Sequence, residues 1–288
     1  MKAIKIRYII LLSLIYFAST SFAQIYTDKD SIVLRRTLTF GQNRLSTKPI
    51  GEVITAVGRS LLGTDYLAYG IEKEGEEQLV INLTGVDCTT FMESVLALSR
   101  TIKRGDTTFS GYAEELTLIR YRGGKIDRYP SRLHYFSDWI YDNEKKGIVE
   151  DITPASGGAP IMFNLNFMSE HPQYYKHLKD NPEFIPDIRA QEQAIYQRGY
   201  SYIPKLKVAD VMDKINEGDI IAFTTSVEGL DIGHVGIAVK QGDKIHLMHA
   251  PDVGQKVQIS TKPLDEYVRS VKKHTGIIII RPLEPEIM

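Results

Sequence analysis

The sequence predicts an α+β fold in which one long helix packs on an antiparallel sheet. Apolar side chains recur at helical spacing from Cys88 to Arg104, and basic residues then precede Gly105, a common helix terminator. Short β-branched and apolar segments fill the region from Gly218 to Arg281. Gln241-Gly242 separates two of them as a hairpin turn would. Helix and strands thus occupy different parts of the chain, as in α+β proteins.

The first 23 residues have the order of a cleaved secretory signal. Lys2, Lys5 and Arg7 precede an apolar run from Ile9 to Ala18, and small residues follow up to Ala23. This order predicts cleavage after Ala23 and export across the inner membrane, to the periplasm or the medium. The run is short for a membrane span, so we expect no stable membrane insertion after cleavage. An uncleaved amphipathic anchor is the alternative.

Residues 24–288 are predicted to form a single domain. Their number suits one large domain, and the chain is 43% hydrophobic, which is enough for a full core. The net charge of −1 gives no indication of nucleic acid as a partner. Since no linker-like composition divides the chain, the stretch from Gly105 to about Lys207 is predicted to be a mostly helical insertion that walls a cleft.

The other predicted elements follow from the same patterns. An apolar stripe indicates a helix over Gly51–Leu62 with Gly63 as its C-cap, and further helices are predicted over Arg132–Asn143 and Glu183–Gln197. Leu79–Leu83 is predicted to be extended. The C-terminal strands are predicted at Ile220–Phe223, His234–Lys240, Lys244–Ala250, Val257–Ser260 and Gly276–Arg281.

The single cysteine of the chain, Cys88, is the clearest indication of chemistry. Secreted scaffolds usually pair their cysteines in disulfides, and a lone thiol cannot pair within its own chain. Asp87 is a natural N-cap, which places Cys88 at the start of the long helix. The positive end of the helix dipole favours a thiolate, so we expect a lowered pKa for Cys88. A small buried hydrophobic side chain is the alternative role.

The predicted hairpin brings two histidines together. With Gln241-Gly242 as a two-residue turn, His234 lies directly opposite His249. Because side chains alternate between faces, any turn with an even number of residues keeps these two histidines on one face. His246 then lies on the opposite face. Two neighbouring imidazoles on a strand pair are therefore expected.

Cys88, His234 and His249 supply the parts of a hydrolytic triad. A neighbouring imidazole can take the thiol proton and return it to a leaving amine, while a second polar group fixes the orientation of that imidazole. We therefore predict Cys88 as the nucleophile, with the two histidines as base and orienting residue. A metal pair of His246 and His249, with Asp252 nearby, is disfavoured because the two rings face opposite sides. No metal or other cofactor is expected.

Three blocks of sequence strengthen this prediction. They are Asp87–Phe91, Gly233–Val239 and Met248–Ala250, on the predicted helix and the two predicted strands of the hairpin. Together they resemble the NlpC-type papain-like cysteine hydrolases of bacterial cell walls. This resemblance implies a papain-like fold, with His234 as the base and His249 as the orienting residue. Tyr66 matches the tyrosine that helps to bind the oxyanion in that family. Thr89-Thr90 is a departure, since the family usually has Ser-Gly there.

The middle of the chain carries a narrower resemblance. Tyr121–Lys125 and Tyr129–Ile140 are similar to a branch described as N-acetylmuramoyl-L-alanine amidases. This similarity implies hydrolysis of the amide bond between N-acetylmuramic acid and L-alanine, with peptidoglycan fragments (muropeptides) as partners. An endopeptidase that cuts between D-glutamate and the diamino acid is the alternative within the same fold. A non-catalytic glycan- or peptide-binding module is the alternative of another class.

Four polar residues near these motifs are candidates for substrate contact, namely Asp87, Arg122, Arg132 and His134. Muropeptides carry carboxylates, and an arginine can bind a carboxylate through two parallel hydrogen bonds. For either arginine, an ion pair within the protein is the alternative. Asp87 can cap the helix instead of, or as well as, contacting substrate.

Overall fold

A computed structural model describes residues 24–286, so the predicted signal segment lies outside the described residues. The helices are α1 (Asp28–Arg44), α2 (Ile50–Ser60), α3 (Cys88–Arg104), α4 (Phe109–Arg120), α5 (Phe136–Lys145), α6 (Phe167–Glu170), α7 (Lys176–Asp180), α8 (Ile185–Tyr196) and α9 (Leu264–Ser270). The strands are β1 (Gln24–Ile25), β2 (Asp65–Tyr66), β3 (Leu79–Val80), β4 (Gly85–Val86), β5 (Val149–Asp151), β6 (Ala159–Ile161), β7 (Tyr200–Pro204), β8 (Ile220–Thr225), β9 (Ile232–Gln241), β10 (Lys244–His249), β11 (Gln258–Pro263) and β12 (His274–Pro282).

An antiparallel sheet forms the centre of the molecule, in the order β11-β10-β9-β8-β12-β7-β6, with β5 also paired to β12. The predicted C-terminal strands all lie in this sheet. The predicted insertion is less helical than expected, because it contributes β5, β6 and β7 to one side of the sheet. These strands have three to five residues each, too few to show the alternation that marks a strand in sequence.

Both faces of the central strands are buried, which explains their nearly continuous apolar sequences. In β8, Ile220 and Ala222 belong to the larger core, and Ile221 and Phe223 belong to the smaller one. The layer that includes α1–α5 covers the first face. Helix α9 and the 3-10 segment Lys205–Lys214 cover the second. Within residues 24–286, no helix has the length and apolar character needed to cross a membrane.

Helix α3 begins and ends where the sequence predicts. The Asp87 carboxylate accepts a hydrogen bond from the Thr90 backbone N–H at 2.8 Å, and the Thr90 hydroxyl accepts one from the Asp87 N–H at 2.9 Å. Gly105 ends the helix in the left-handed conformation, with φ of 75°. Helix α3 packs against α2, α4 and β9. Its N-terminus is therefore held between the helical layer and the sheet.

The predicted hairpin register is wrong by two residues. Gln241 pairs with Lys244, so the turn is Gly242-Asp243 rather than Gln241-Gly242. Gly242 has φ of 60°, which suits the first central position of a type II′ turn. His234 is consequently diagonal to His249 instead of directly opposite. Both turns contain two residues, so the two side chains still share a face.

Other predicted boundaries are shifted by a few residues. The helix predicted over Gly51–Leu62 is α2, and it ends before Leu61, so Gly63 lies in the following turn. The predicted segment Leu79–Leu83 forms a strand only at β3, which pairs with β1. The helices predicted in the middle are α5 and α8, which start four and two residues later than predicted.

Candidate active site

Cys88 and His234 line one cavity of about 240 Å³. Cys88 reaches it from the start of α3, and His234 reaches it from β9. The insertion supplies much of the remaining wall through Leu133, His134, Tyr135, Phe136, Met168 and Tyr175. The cavity is smaller than the roughly 300–1,000 Å³ of sites that enclose a whole drug-sized ligand. Only the groups next to a scissile bond would therefore be enclosed.

His234 and His249 contact each other directly. Nε2 of His234 lies 2.7 Å from Nδ1 of His249, and the two rings meet edge to face. Burial lowers the pKa of His234 to about 4, although the Asp252 carboxylate opposes this shift. Burial, and then the neighbouring His234, lower the pKa of His249 to about 3. Both rings are neutral at pH 7, and since Nε2 of His234 is engaged with His249, the other ring nitrogen of His234 is Nδ1.

The Cys88 thiol has a raised pKa, opposite to the expectation from its place at a helix N-terminus. Burial, and then the Asp87 carboxylate, raise the pKa to about 11, against smaller lowering effects of the Val235 and Thr89 amides. The Cys88 Sγ lies 3.9 Å from the Thr89 hydroxyl, and no direct hydrogen bond to His234 is present in residues 24–286. The resting side chain is thus a thiol, which needs a base before it can act as a nucleophile.

Tyr66 is held close to Cys88 by a short strand pairing. β2 runs parallel to β4, and Tyr66 pairs with Val86, two residues before Cys88. Burial, and then the charges of Cys88 and Asp87, raise the pKa of Tyr66 to about 12. The phenol therefore stays protonated at neutral pH and can donate a hydrogen bond near the nucleophile.

The two predicted arginines lie outside the cavity, in ion pairs within the protein. The Arg132 side chain is 8% exposed and donates two hydrogen bonds to Glu77, at 2.9 and 2.8 Å, and a further one to Glu72. Arg122 pairs with the buried Asp138. Asp87 is engaged in capping α3. Neither guanidinium lines the cavity of Cys88.

His134 does line the cavity. Its Nε2 lies 3.0 Å from the Tyr129 carbonyl, to which it donates when neutral. Burial, and then Arg132, lower the pKa of His134 to about 3, which keeps the ring neutral. Nδ1 is consequently left as a hydrogen-bond acceptor.

Asp231 is a cavity residue that sequence reasoning missed. Its carboxylate accepts hydrogen bonds from the backbone N–H groups of Ser137, in the first turn of α5, and of Ile232, each at 2.7 Å. Burial raises the pKa of Asp231. Asp231 therefore ties α5 of the insertion to the beginning of β9, three residues before His234. Its position next to the Gly233-His234 motif is the only indication that the sequence offers.

A further group of aromatic residues surrounds the histidine pair and was also missed. Tyr267 of α9 meets the His249 ring edge to face at 5.3 Å, and Phe223 of β8 lies 5.9 Å from the His234 ring. Phe223 also stacks on His274 at 4.5 Å. These residues come from separate strands and a helix, so no sequence spacing links them.

His246 lies on the other face of β10, as parity predicts. Its Nδ1 is 2.8 Å from the Ser260 carbonyl, so His246 and His249 do not converge on one point. In the described part of the chain, no group of three His, Cys, Asp or Glu residues is arranged to hold a metal ion.

A larger cleft of about 1010 Å³ lies away from Cys88. Tyr129 lines it and also packs against His134, with ring centroids 4.3 Å apart. These two rings therefore lie between the larger cleft and the cavity of Cys88. Cys88, His234 and His249 do not line the larger cleft.

The chain is similar to solved structures over most of its length. An N-acetylmuramoyl-L-alanine amidase from Bacteroides uniformis is 40% identical, with a TM-score of 0.78, and the match covers 81% of this chain and 98% of that one. A putative xylanase from Bacteroides fragilis is also 40% identical, with a TM-score of 0.74 and coverage of 78% and 98%. A Legionella pneumophila protein at 23% identity and a TM-score of 0.66 shares the fold, over 90% and 95% of the two chains.

The search of curated proteins gives no significant match. A family model described as N-acetylmuramoyl-L-alanine amidase-like matches residues 56–277, a range that includes Tyr66, Cys88, His234 and His249. Most of the chain is thus covered by the match, including the candidate site and the insertion. The chain therefore belongs to the AmiA-like family of N-acetylmuramoyl-L-alanine amidase-like proteins.

Proposed function

We propose that this protein is a cysteine amidase that hydrolyses the bond between N-acetylmuramic acid and L-alanine in peptidoglycan fragments. Family membership supports the amidase activity. The observation that carries the cysteine mechanism is that Cys88 and His234 line one cavity, while His234 is also hydrogen-bonded to His249. The resemblance of the motifs to NlpC-type enzymes also supports a papain-like fold and cleavage at the bacterial cell wall.

The reaction proceeds in two halves. His234 takes the thiol proton at Nδ1 while Cys88 Sγ attacks the carbonyl carbon of the lactyl group. The C–N bond then breaks, His234 gives the proton to the nitrogen of L-alanine, and the stem peptide leaves. A water molecule, deprotonated by His234, attacks the remaining thioester and releases the muramic acid carboxylate and the free thiol. His249 holds the His234 ring in place throughout.

Tyr66 and the backbone N–H of Cys88 are suited to stabilise the oxyanion of each tetrahedral intermediate. The raised pKa of Tyr66 keeps its hydroxyl protonated, so it can donate to negative charge near Cys88. Such donors typically contribute about 10²–10³-fold in rate each. The predicted secretory signal supports a place for this reaction outside the cytoplasm.

Glycoside hydrolysis is less well supported, although one similar structure is described as a putative xylanase. Glycosidases usually need two carboxyl groups about 5–9.5 Å apart on either side of the bond. Among the described residues that line the cavity, Asp231 alone carries a carboxyl group. Its oxygens accept backbone hydrogen bonds from Ser137 and Ile232. Acyl transfer by the thiol suits the cavity better.

Mass spectrometry of muropeptide digests tests the proposal. The mature protein should release the sugar with a free lactyl carboxylate and a stem peptide that begins with L-alanine. Cys88→Ala should give no products, and His246→Gln serves as a matched control that should retain activity. A product in which L-alanine and D-glutamate stay on the sugar would identify an endopeptidase instead. No cleavage, with stoichiometric binding of muropeptides, would identify a binding module.

A further inference from the structure

A third histidine lies next to the His234–His249 pair. His274, the first residue of β12, is 6% exposed and stacks on Phe223 with ring centroids 4.5 Å apart. Its ring is nearly parallel to that of His234, at 6.5 Å. Tyr267 lies beside both His249 and His274, at 5.3 and 6.0 Å. The three imidazoles therefore form one buried cluster.

Hydrogen bonding in this cluster is incomplete in a specific way. Nε2 of His249 and Nδ1 of His274 are both buried, and neither has a hydrogen-bond partner among residues 24–286. A neutral imidazole has one N–H donor and one acceptor nitrogen. A buried donor or acceptor without a partner costs about 1–3 kcal/mol, so two such atoms in one cluster call for an explanation.

Tautomers provide the explanation. If His234 is to accept the Cys88 proton at Nδ1, its own hydrogen must be on Nε2 and be donated to Nδ1 of His249. His249 must then carry its hydrogen on Nε2, the unpartnered atom, as a donor. His274, with its hydrogen on Nε2, offers Nδ1 as an acceptor. The reaction thus requires a donor at Nε2 of His249, and this tautomer of His274 supplies a complementary acceptor at Nδ1.

We propose that His274 is a positioning residue that accepts the Nε2 hydrogen of His249 through one buried water molecule and so holds His249 and His234 in the reactive tautomers. Buried waters commonly bridge polar atoms that lack partners. This inference rests on the proposed function, because it concerns the same base.

Burial, together with nearby charges, keeps His274 neutral, as an acceptor role requires. Burial, and then His234 and Lys205, lower the pKa of His274 to about 4, so the ring is neutral at pH 7. The other titratable groups that act on the cluster are Tyr267, whose pKa burial raises to about 12, and the Asp252 carboxylate near His234. A protonated His274 would lose the acceptor at Nδ1, which the low pKa prevents.

Substitution at His274 tests the proposal through kinetics. His274→Phe keeps an aromatic ring against Phe223 but removes the acceptor, and should lower kcat about tenfold with KM unchanged. His274→Asn places a carbonyl oxygen close to the position of Nδ1 and should recover a large part of the loss. In a His249→Ala background, His274→Phe should have no further effect, because the residue acts through His249. An equal loss in both backgrounds would indicate a packing role and overturn the proposal.

The tautomer itself is measured without any substrate. Long-range ¹H–¹⁵N spectra of the full protein should show His249 with its hydrogen on Nε2, and His274→Phe should shift part of the population to Nδ1. His274→Asn should retain the Nε2 form, and it provides the measurement if the phenylalanine variant does not fold. An unchanged His249 tautomer in His274→Phe would overturn the proposal. Absence of muropeptide cleavage would overturn the proposed function but leave this result intact.

Discussion

Arg132 has two competing roles, as a substrate contact or as part of a structural ion pair. Its position in the sequence suggests the first role, and its contacts suggest the second. Its side chain is 8% exposed, and that of Glu77 is 2% exposed. Removing one partner of such a buried pair typically costs about 3–5 kcal/mol, because the other charge is left buried and uncompensated. Arg132→Gln is therefore expected to destabilise the protein while leaving the cavity of Cys88 unchanged.

Two features of the ion pair place the expected loss of stability near the lower end of that range. Glu77 keeps the hydrogen bond donated by the Tyr121 hydroxyl at 2.8 Å, and Glu72 is 21% exposed, so water stabilises its charge. We expect a loss of about 3 kcal/mol in the free energy of unfolding. For a protein of this size, roughly 2–4 °C per kcal/mol gives a decrease of about 6–12 °C in Tm.

Urea unfolding monitored by the fluorescence of Trp139, the single and fully buried tryptophan, measures this loss. Arg128→Gln is the matched control, since the Arg128 side chain is 55% exposed and its ion pairs should contribute at most about 1 kcal/mol. Adding Glu77→Gln to Arg132→Gln should recover part of the stability. A variant as stable as the wild type, but with a raised KM, would refute the structural role and make Arg132 a substrate contact.

Three further outcomes follow from the site. Cys88→Ala should abolish hydrolysis with the fold intact, and Cys88→Ser should be nearly inactive; more than a few per cent activity in Cys88→Ala would exclude the mechanism. His249→Ala should reduce kcat far more than His246→Ala, and equal losses would contradict the placement of the two rings. Because the folded pKa values of the buried His234, His249 and His274 (about 4, 3 and 4) lie below the unfolded value of about 6.5, the unfolded chain binds more protons as the pH falls. The free energy of unfolding should therefore decrease from pH 6.5 towards pH 4, by at most about 1.4 kcal/mol per pH unit for each histidine; urea titrations that give a constant stability over this window would contradict the burial of neutral rings.

Helix α3 could be predicted to the residue because two independent features coincide there. The apolar spacing marks its length, while the Asp87 cap and Gly105 mark its ends. The shared face of His234 and His249 was predictable for a similar reason, because parity depends only on an even turn. The register was not, since Gln-Gly and Gly-Asp are both plausible turns, and tertiary contacts decide between them.

His274 could not have been assigned to the cluster from the sequence. The pairing of β12 with β8 is irregular between His274 and Gly276, which interrupts the alternation of faces. Strict alternation counted back from Ile277, which lies in the smaller core, would place His274 on the face of the larger core. His274 instead stacks on Phe223, which belongs to the smaller core. The raised pKa of Cys88 was likewise beyond the sequence, because burial and then the Asp87 charge outweigh the helix dipole.

The carboxylate of Asp231 links the wall of the cavity to the strand that carries His234. It holds the first turn of α5 through Ser137, and it lies at the beginning of β9. A change in chain length between Arg104 and Phe136 is consequently expected to disturb this link. Exchanging side chains at Leu133 or Met168 would instead reshape the cavity with the link intact. Substrate range in this scaffold is therefore more readily altered by substitution in the insertion than by lengthening or shortening it.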